Sequence, residues 1–100
     1  TIVYDDDAVK KVLLKNDGLV MLSVIAEGLK SLPEVTAESI ENLLRGIAEQ
    51  KQVGLGKIAQ PLRVALTGTT ISPPIFDTVD ILGLDRTLKR IALTITKFNS

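Results

Sequence analysis

Arginine and hydroxyl side chains, rather than acid–base pairs, are the residues of this sequence whose types and spacing could do chemistry. The stretch PLRVALTGTTISPPIF, residues 61–76, places Arg63 shortly before a Gly-Thr-Thr turn and Ser72. In single-stranded RNA, base edges are read by hydrogen bonds, with arginine or apolar groups against the base faces. Helix termination and capping explain the same residues equally well, because Gly68 can end one helix, Ser72 can cap the next and Pro73 can be its first residue. The residue types alone leave both interpretations open.

A second group of basic residues lies near the C-terminus. Arg86, Arg90 and Lys97 are spaced i, i+4 and i+11, so they share one face of a helix, and Lys89 borders that face. Such a row could contact phosphates through its charge and the release of counterions, although a solvated helix face explains it too. The net charge is zero, but the first fifty residues hold five basic and nine acidic residues, and the last fifty hold seven and three. This polarity would let one end attract a polyanion.

Several kinds of chemistry are excluded or disfavoured by the composition. The sequence has no cysteine and no histidine, which excludes disulfides, thiolate or imidazole catalysis and ordinary zinc sites. The segment GLGK, residues 54–57, lacks the first glycine and the Ser or Thr of a phosphate-binding loop, so a helix break explains Gly54 and Gly56 better. The acidic residues fit helix starts and solvated faces. We therefore expect no catalytic residue, no metal site and no cofactor in this chain.

Apolar residues recur at helical spacing through almost the whole chain. Leu22, Ile25, Ala26 and Leu29, for example, follow the i, i+3, i+4, i+7 pattern of an amphipathic helix. No apolar run approaches the roughly 20 residues that a membrane-spanning helix needs. The sequence predicts one all-α domain over residues 1–100, a compact bundle of about five or six short helices.

Capping residues predict where the helices begin and end. Thr36 is the expected N-cap of one helix, and Asp85 is the expected cap of the last helix. Pro61 must lie in the first turn of its helix or kink it, because proline lacks an amide hydrogen. The predicted core face of the last helix consists of Leu88, Ile91, Ala92 and Ile95.

The N-terminus gives no sign of a targeting segment. It carries Asp5–Asp7 rather than basic residues followed by an apolar run, and the lack of cysteine fits a reducing compartment. Because the first residue is Thr1 rather than Met, we expect the chain to be a piece of a longer protein.

The stretch KIAQPLRVALTGTTISPPIFDTVDILGLDRTLKRI, residues 57–91, resembles the C-terminal anticodon-binding region of bacterial-type glutamyl-tRNA synthetases. The pattern of that family is approximately Q-P-L-R-x-A-L-T-G, a short turn, [S/T]-P-G-[I/L]-F-E, an apolar helix, L-G and a basic final helix. Residues 1–50 carry a weaker resemblance. The resemblance of residues 57–91 implies that the chain is the most C-terminal of the helical subdomains that bind the anticodon arm. It also implies that the chain is excised from a longer synthetase.

The resemblance also implies which residues contact RNA. Arg63, Ser72, Pro73 and Ile75 match positions that contact the anticodon in the family. Pro74 departs from the family pattern, which has glycine there, so a base contact through that backbone amide is lost.

The activity that the resemblance implies belongs to a parent enzyme. In this family, a separate domain attaches glutamate to tRNA(Glu) with ATP and Mg, so the chain itself would carry no catalytic site and no cofactor. The expected partner is tRNA(Glu), with tRNA(Gln) left open, in a cytoplasmic and monomeric enzyme, and neither DNA nor a membrane is an expected partner. The alternative is a helical protein-interaction domain without RNA contact, which would show an exposed apolar patch instead of converging basic residues.

Overall fold

The described part of the chain is all-helical. The structure is a computed structural model, and it describes residues 4–14, 17–70 and 74–98. Within these residues there is no strand, which confirms the predicted all-α fold. The six α-helices are α1 (Asp6–Ala8), α2 (Gly18–Lys30), α3 (Ala37–Lys51), α4 (Leu55–Thr67), α5 (Ile75–Leu82) and α6 (Leu84–Phe98).

Helix α1 begins at the acidic cluster and widens into a π-helix over Val9–Leu13. The Asp5 carboxylate caps α1 by accepting hydrogen bonds from the amides of Asp7, at 2.9 Å, and Ala8, at 3.3 Å. At the other end, the amide of Leu14 donates to the carbonyl of Val9 at 3.0 Å. This bond spans five residues rather than four, which makes the turn wider than an α-helical turn.

Helix α3 begins with a reciprocal cap. The Ser39 amide donates to the Thr36 hydroxyl at 3.1 Å, and the Thr36 amide donates to the Ser39 hydroxyl at 2.9 Å. Two amides at the helix start are thereby satisfied, an arrangement that stabilises a helix by about 1 kcal/mol. The prediction that Thr36 is an N-cap is confirmed.

Helix α4 lies at the centre of the bundle, and it packs against α2, α3, α5 and α6. Pro61 lies in its interior rather than in its first turn, so the carbonyl of Lys57 lacks its usual amide donor. Gly68 ends the helix as predicted. Its backbone is left-handed, with a φ of 84°, and its amide donates to the Val64 carbonyl at 2.8 Å.

Two predicted helix starts are wrong. Helix α5 begins at Ile75 with Pro74 in the N-cap position, later than a start at Pro73; Ser72 and Pro73 themselves lie outside the described residues. Asp85 lies in the first turn of α6 and does not cap it. The chain turns at Gly83, which has a φ of 84°, so α6 starts at the very next residue.

The predicted core face of α6 is correct for Ile91, which is buried, and for Leu88 and Ile95, which are half-buried and pack against the core, but wrong for Ala92, which is exposed. Two threonines that were not predicted, Thr87 and Thr94, are fully buried on this helix. Burial of Thr94 is possible because its hydroxyl donates to the Arg90 carbonyl at 2.8 Å and lies 3.0 Å from the Tyr4 hydroxyl.

Candidate nucleic-acid interface

One face of α4 is polar and partly open. Every residue from Ile58 to Leu66 is buried except Gln60 and Arg63, which are half-buried. Gly56, Gln60, Arg63 and Thr67 are spaced i, i+4, i+7 and i+11, so they form one stripe along the helix. We call these four residues the α4 stripe. It is the side of this central helix that a ligand could reach.

Arg63 holds no charge partner in the described part of the chain. The ion pairs there join Lys30 to Glu27, at 3.5 Å, and Arg45 to Glu41, at 2.7 Å. The Nε atom of Arg63 is buried and has no hydrogen-bond partner. An unsatisfied buried donor of this kind costs about 1–3 kcal/mol. The guanidinium is therefore not used to hold the fold together, and a ligand that accepts its hydrogen bonds would remove a penalty.

The carboxyl end of α4 is closed by side chains from two directions. The Thr67 hydroxyl lies 2.7 Å from the Arg63 carbonyl and 3.1 Å from the Thr69 carbonyl. From α6, the Arg90 Nη1 donates to the Leu66 carbonyl at 2.8 Å. A cation at this end is favoured by the helix dipole. Arg90 thus has a structural role besides the phosphate contact predicted for it.

The remaining basic residues of α6, Arg86, Lys89 and Lys97, are exposed. Lys89 lines a groove of about 450 Å³ together with residues of α2, such as Glu27, whereas Arg90 reaches α4. Lys89 therefore lies towards α2 and does not converge with Arg90.

An aromatic pair lies under Lys97, and no pattern in the sequence predicts it. The rings of Tyr4 and Phe98 meet edge to face, with centroids 5.1 Å apart, and the Lys97 Nζ lies 5.6 Å from the Tyr4 centroid. The Asp5 amide donates to the Gly68 carbonyl at 2.7 Å, which holds this pair beside the end of α4. Ninety-odd residues separate the two rings in sequence, so no local pattern could have joined them.

The other predicted site residues are only partly described. Ser72 and Pro73 lie outside the described residues. Ile75 is 2% exposed, and its side chain packs in the core. Ile75, the first residue of α5, therefore leaves a ligand almost no surface for a direct contact.

No metal site and no membrane span are found in the residues that the structure covers. Those residues hold no group of three or more Asp, Glu, His or Cys side chains able to bind a metal ion. None of the described helices is long and apolar enough to cross a bilayer.

Comparison with known proteins gives consistent similarities. Residues 1–95 match the family described as "Anticodon binding domain". The chain is 48% identical over 94 residues to a glutamate–tRNA ligase of Stenotrophomonas maltophilia, covering 94% of this chain and 20% of that protein. It is 45% identical over 85 residues to glutamate–tRNA ligase 2 of Rhodospirillum rubrum, covering 85% of this chain and 18% of that protein.

A solved structure agrees with these sequence similarities. The crystal structure of a glutamate tRNA ligase from Elizabethkingia meningosepticum, in complex with its amino acid, matches with a TM-score of 0.86 and 31% identity, over 93% of this chain and 18% of that one. The chain thus spans about a fifth of the length of the proteins that it matches. Nothing in these comparisons supports a protein-interaction domain without RNA contact.

Proposed function

The chain belongs to the anticodon binding domain family, and we propose that it recognises the anticodon of tRNA(Glu) within a longer glutamate–tRNA ligase. The observation that carries this proposal is the unpartnered Arg63 guanidinium on the α4 stripe. Arginine can hydrogen-bond to the edge of an unstacked RNA base or stack on its face. Ser72 and Pro73, which precede α5 in the sequence, would supply the other contacts to the anticodon, and the buried Ile75 would hold the start of α5 in place.

The basic residues near α4 would hold the RNA backbone. Lys97 is exposed beside the end of α4, and Arg90 binds the Leu66 carbonyl through only one of its nitrogens. Arg86 lies on the same face of α6 as these two residues. Phosphate contacts of this kind set affinity and orientation, while contacts to base edges set specificity. Lys89 would contribute least, because it lies in the groove towards α2.

The chemistry of the proposed parent enzyme would take place elsewhere. ATP and Mg would serve the attachment of glutamate on a separate domain of a monomeric, cytoplasmic ligase, of which residues 1–100 form the C-terminal domain. Whether tRNA(Gln) is also a partner depends on residues outside this chain. Because the chain would hold only part of the anticodon arm, its own affinity is expected to be weak compared with that of the linked domains.

The test is binding of the 100-residue chain to the anticodon arm of tRNA(Glu), followed by ¹⁵N chemical-shift titration over a series of salt concentrations. Arg63→Met removes the guanidinium and keeps an apolar stem, and Arg45→Met is the matched control on α3. We expect Arg63→Met to lose about 1–3 kcal/mol of binding free energy, as a good base contact would. We expect Arg45→Met to bind like the unmodified chain.

An arm with a swapped anticodon gives the second comparison. The unmodified chain should prefer the cognate arm, and Arg63→Met should lose that preference. Binding that ignores both the anticodon and Arg63 would show that the domain is only an electrostatic platform, and the proposal would fail.

A further inference from the structure

A cleft lined by lysines and apolar side chains lies at the amino end of α4, away from the contacts around Arg90 and Gly68. It encloses about 870 Å³ between the π-helix, the start of α2, the end of α3 and the first turns of α4. Its walls include the apolar side chains of Val12, Met21 and Val53. Neither Arg63 nor Ile75, the described residues to which the resemblance assigned a contact with RNA, lines it.

The charge of the cleft favours an anion. Lys11, Lys51 and Lys57 line it from three different elements, and Asp17 is the acidic residue among the described residues that line it. Lys51 and Lys57 are exposed, and neither takes part in the ion pairs found among the described residues. The whole chain has a net charge of zero, so this local excess is a property of the cleft and not of the composition.

Gln60 adds a polar group that the fold leaves unsatisfied. It lines the cleft, and its Oε1 atom is buried without a hydrogen-bond partner. An amide in this state gains by rotating into the cleft and accepting a hydrogen bond from a ligand. The 2′-hydroxyl of ribose is both a donor and an acceptor, so a ribonucleotide can provide that bond.

The cleft is continuous with the site around Arg63. Gly56 and Gln60 line it and also belong to the α4 stripe. A side chain at Gly56 would meet no atom within 4 Å, so the stripe is open there. Seven residues of helix separate Gly56 from Arg63, which corresponds to about 10 Å. Both buried polar atoms of α4 that lack partners, on Gln60 and Arg63, lie on this stripe.

We propose that the cleft binds a phosphate and ribose of the RNA strand next to the nucleotide that Arg63 contacts. Lys51 and Lys57 neutralise the phosphate, and Gln60 receives the 2′-hydroxyl. The strand then runs along the α4 stripe from one end of the helix to the other. This inference rests on the proposed function, and it extends the RNA contact to a surface that sequence resemblance did not assign.

A charge-matched pair of variants tests the lysines. Lys51→Gln/Lys57→Gln removes two charges from the cleft, and Lys10→Gln/Lys30→Gln removes two exposed lysines that do not line it. With the anticodon arm as the probe, the cleft variant should bind about tenfold more weakly at low salt, and the slope of log K against log salt should fall by about 0.7, the contribution of the one phosphate contact that is lost. The control pair should change the slope by much less.

A gain of affinity gives the sharper test, since misfolding cannot produce it. Asp17 has a left-handed backbone with a φ of 57°, a conformation that asparagine adopts readily. Asp17→Asn removes this acidic group from the cleft, so it should tighten binding by about threefold at low salt, whereas Asp80→Asn on the exposed side of α5 should not. The side-chain amide resonances of Gln60 should shift on addition of the arm, and less so with its DNA version.

The outcomes separate the two proposals. If the arm binds in a manner that depends on Arg63, but the cleft variants behave like their controls and Gln60 does not respond, the cleft inference is wrong and the proposed function stands. If no binding depends on Arg63, the proposed function fails and the cleft inference fails with it. If uridine monophosphate shifts the Gln60 and Gly56 resonances while the arm does not, the cleft is a site for a free nucleotide, and the RNA path is overturned.

Discussion

Two buried threonines on one face of α6 should respond in opposite ways to the same substitution. Thr87 and Thr94 are both 0% exposed, two turns apart. The Thr87 Oγ1 has no hydrogen-bond partner, whereas the Thr94 Oγ1 lies 2.8 Å from the Arg90 carbonyl and 3.0 Å from the Tyr4 hydroxyl. Valine has nearly the shape of threonine and the same branching at Cβ, so the hydroxyl is the main difference between the variants.

The expected change in the free energy of unfolding depends on whether each threonine hydroxyl has a hydrogen-bond partner. Thr87→Val removes an unsatisfied buried hydroxyl and should stabilise the fold by about 1–3 kcal/mol, while Thr94→Val breaks two hydrogen bonds worth about 1 kcal/mol each. In a domain of this size, 1 kcal/mol moves the Tm by about 4–8 °C. Thermal and urea unfolding followed by circular dichroism would measure both variants.

A double variant tests whether the hydroxyls of Tyr4 and Thr94 are hydrogen-bond partners. Tyr4→Phe combined with Thr94→Val should show a coupling of about 1 kcal/mol, because the two hydroxyls are partners. If Thr87→Val lowers the Tm as much as Thr94→Val does, then the Thr87 hydroxyl has a partner in solution and the argument from its missing hydrogen bond is wrong.

Three further substitutions test other parts of the fold. Gly18→Ala should destabilise by several kcal/mol in urea unfolding, because its new methyl would overlap the backbone carbonyl of Val12, whereas Gly46→Ala on α3 meets no atom within 4 Å and should stabilise by about 1 kcal/mol; equal effects would contradict this. Arg90→Met should lower the free energy of unfolding by about 1–2 kcal/mol through its lost hydrogen bond to the end of α4, and an unchanged midpoint would show that the bond is not maintained. Arg63→Met should leave the Tm unchanged or raise it, since its Nε has no partner in the fold; a clear loss of stability would mean that the guanidinium is structural.

Several helix boundaries could be predicted from the sequence because they depend on local capping residues. Thr36 caps α3 and Gly68 ends α4 as predicted, and each of these boundaries depends on one residue and its near neighbours. The resemblance carried by residues 57–91 is confirmed by the family match and by the glutamate–tRNA ligase relatives.

The errors have tertiary causes. Periodicity placed Ala92 in the core because it counts apolar side chains, but Ala92 is exposed and Thr94 is buried, with Tyr4 as a partner for its hydroxyl. Likewise, Arg90 looked like one of a row of solvated cations, and only the packing of α6 against α4 shows its bond to the Leu66 carbonyl.

The resemblance predicts which residues contact the anticodon, but it does not predict the surroundings of their side chains. No sequence pattern indicates that Arg63 lacks an ion pair, since that depends on which acids the other helices bring near. The cleft at the other end of α4 was hidden for the same reason. Its lysines come from three elements. The predicted helix break is correct at Gly54, the N-cap of α4, and wrong at Gly56, which lies in the first turn of that helix.

The aromatic pair beside α6 makes the chain its own optical reporter. The sequence has a single tyrosine and no tryptophan, so the intrinsic emission comes from Tyr4 alone. That ring touches Phe98, lies near Lys97 and is tied through its hydroxyl to Thr94. Emission from this one phenol therefore reports whether Tyr4 remains in contact with the end of α6. Comparison with circular dichroism, which follows all helices, would reveal whether that joint opens before the bundle does, without any added label.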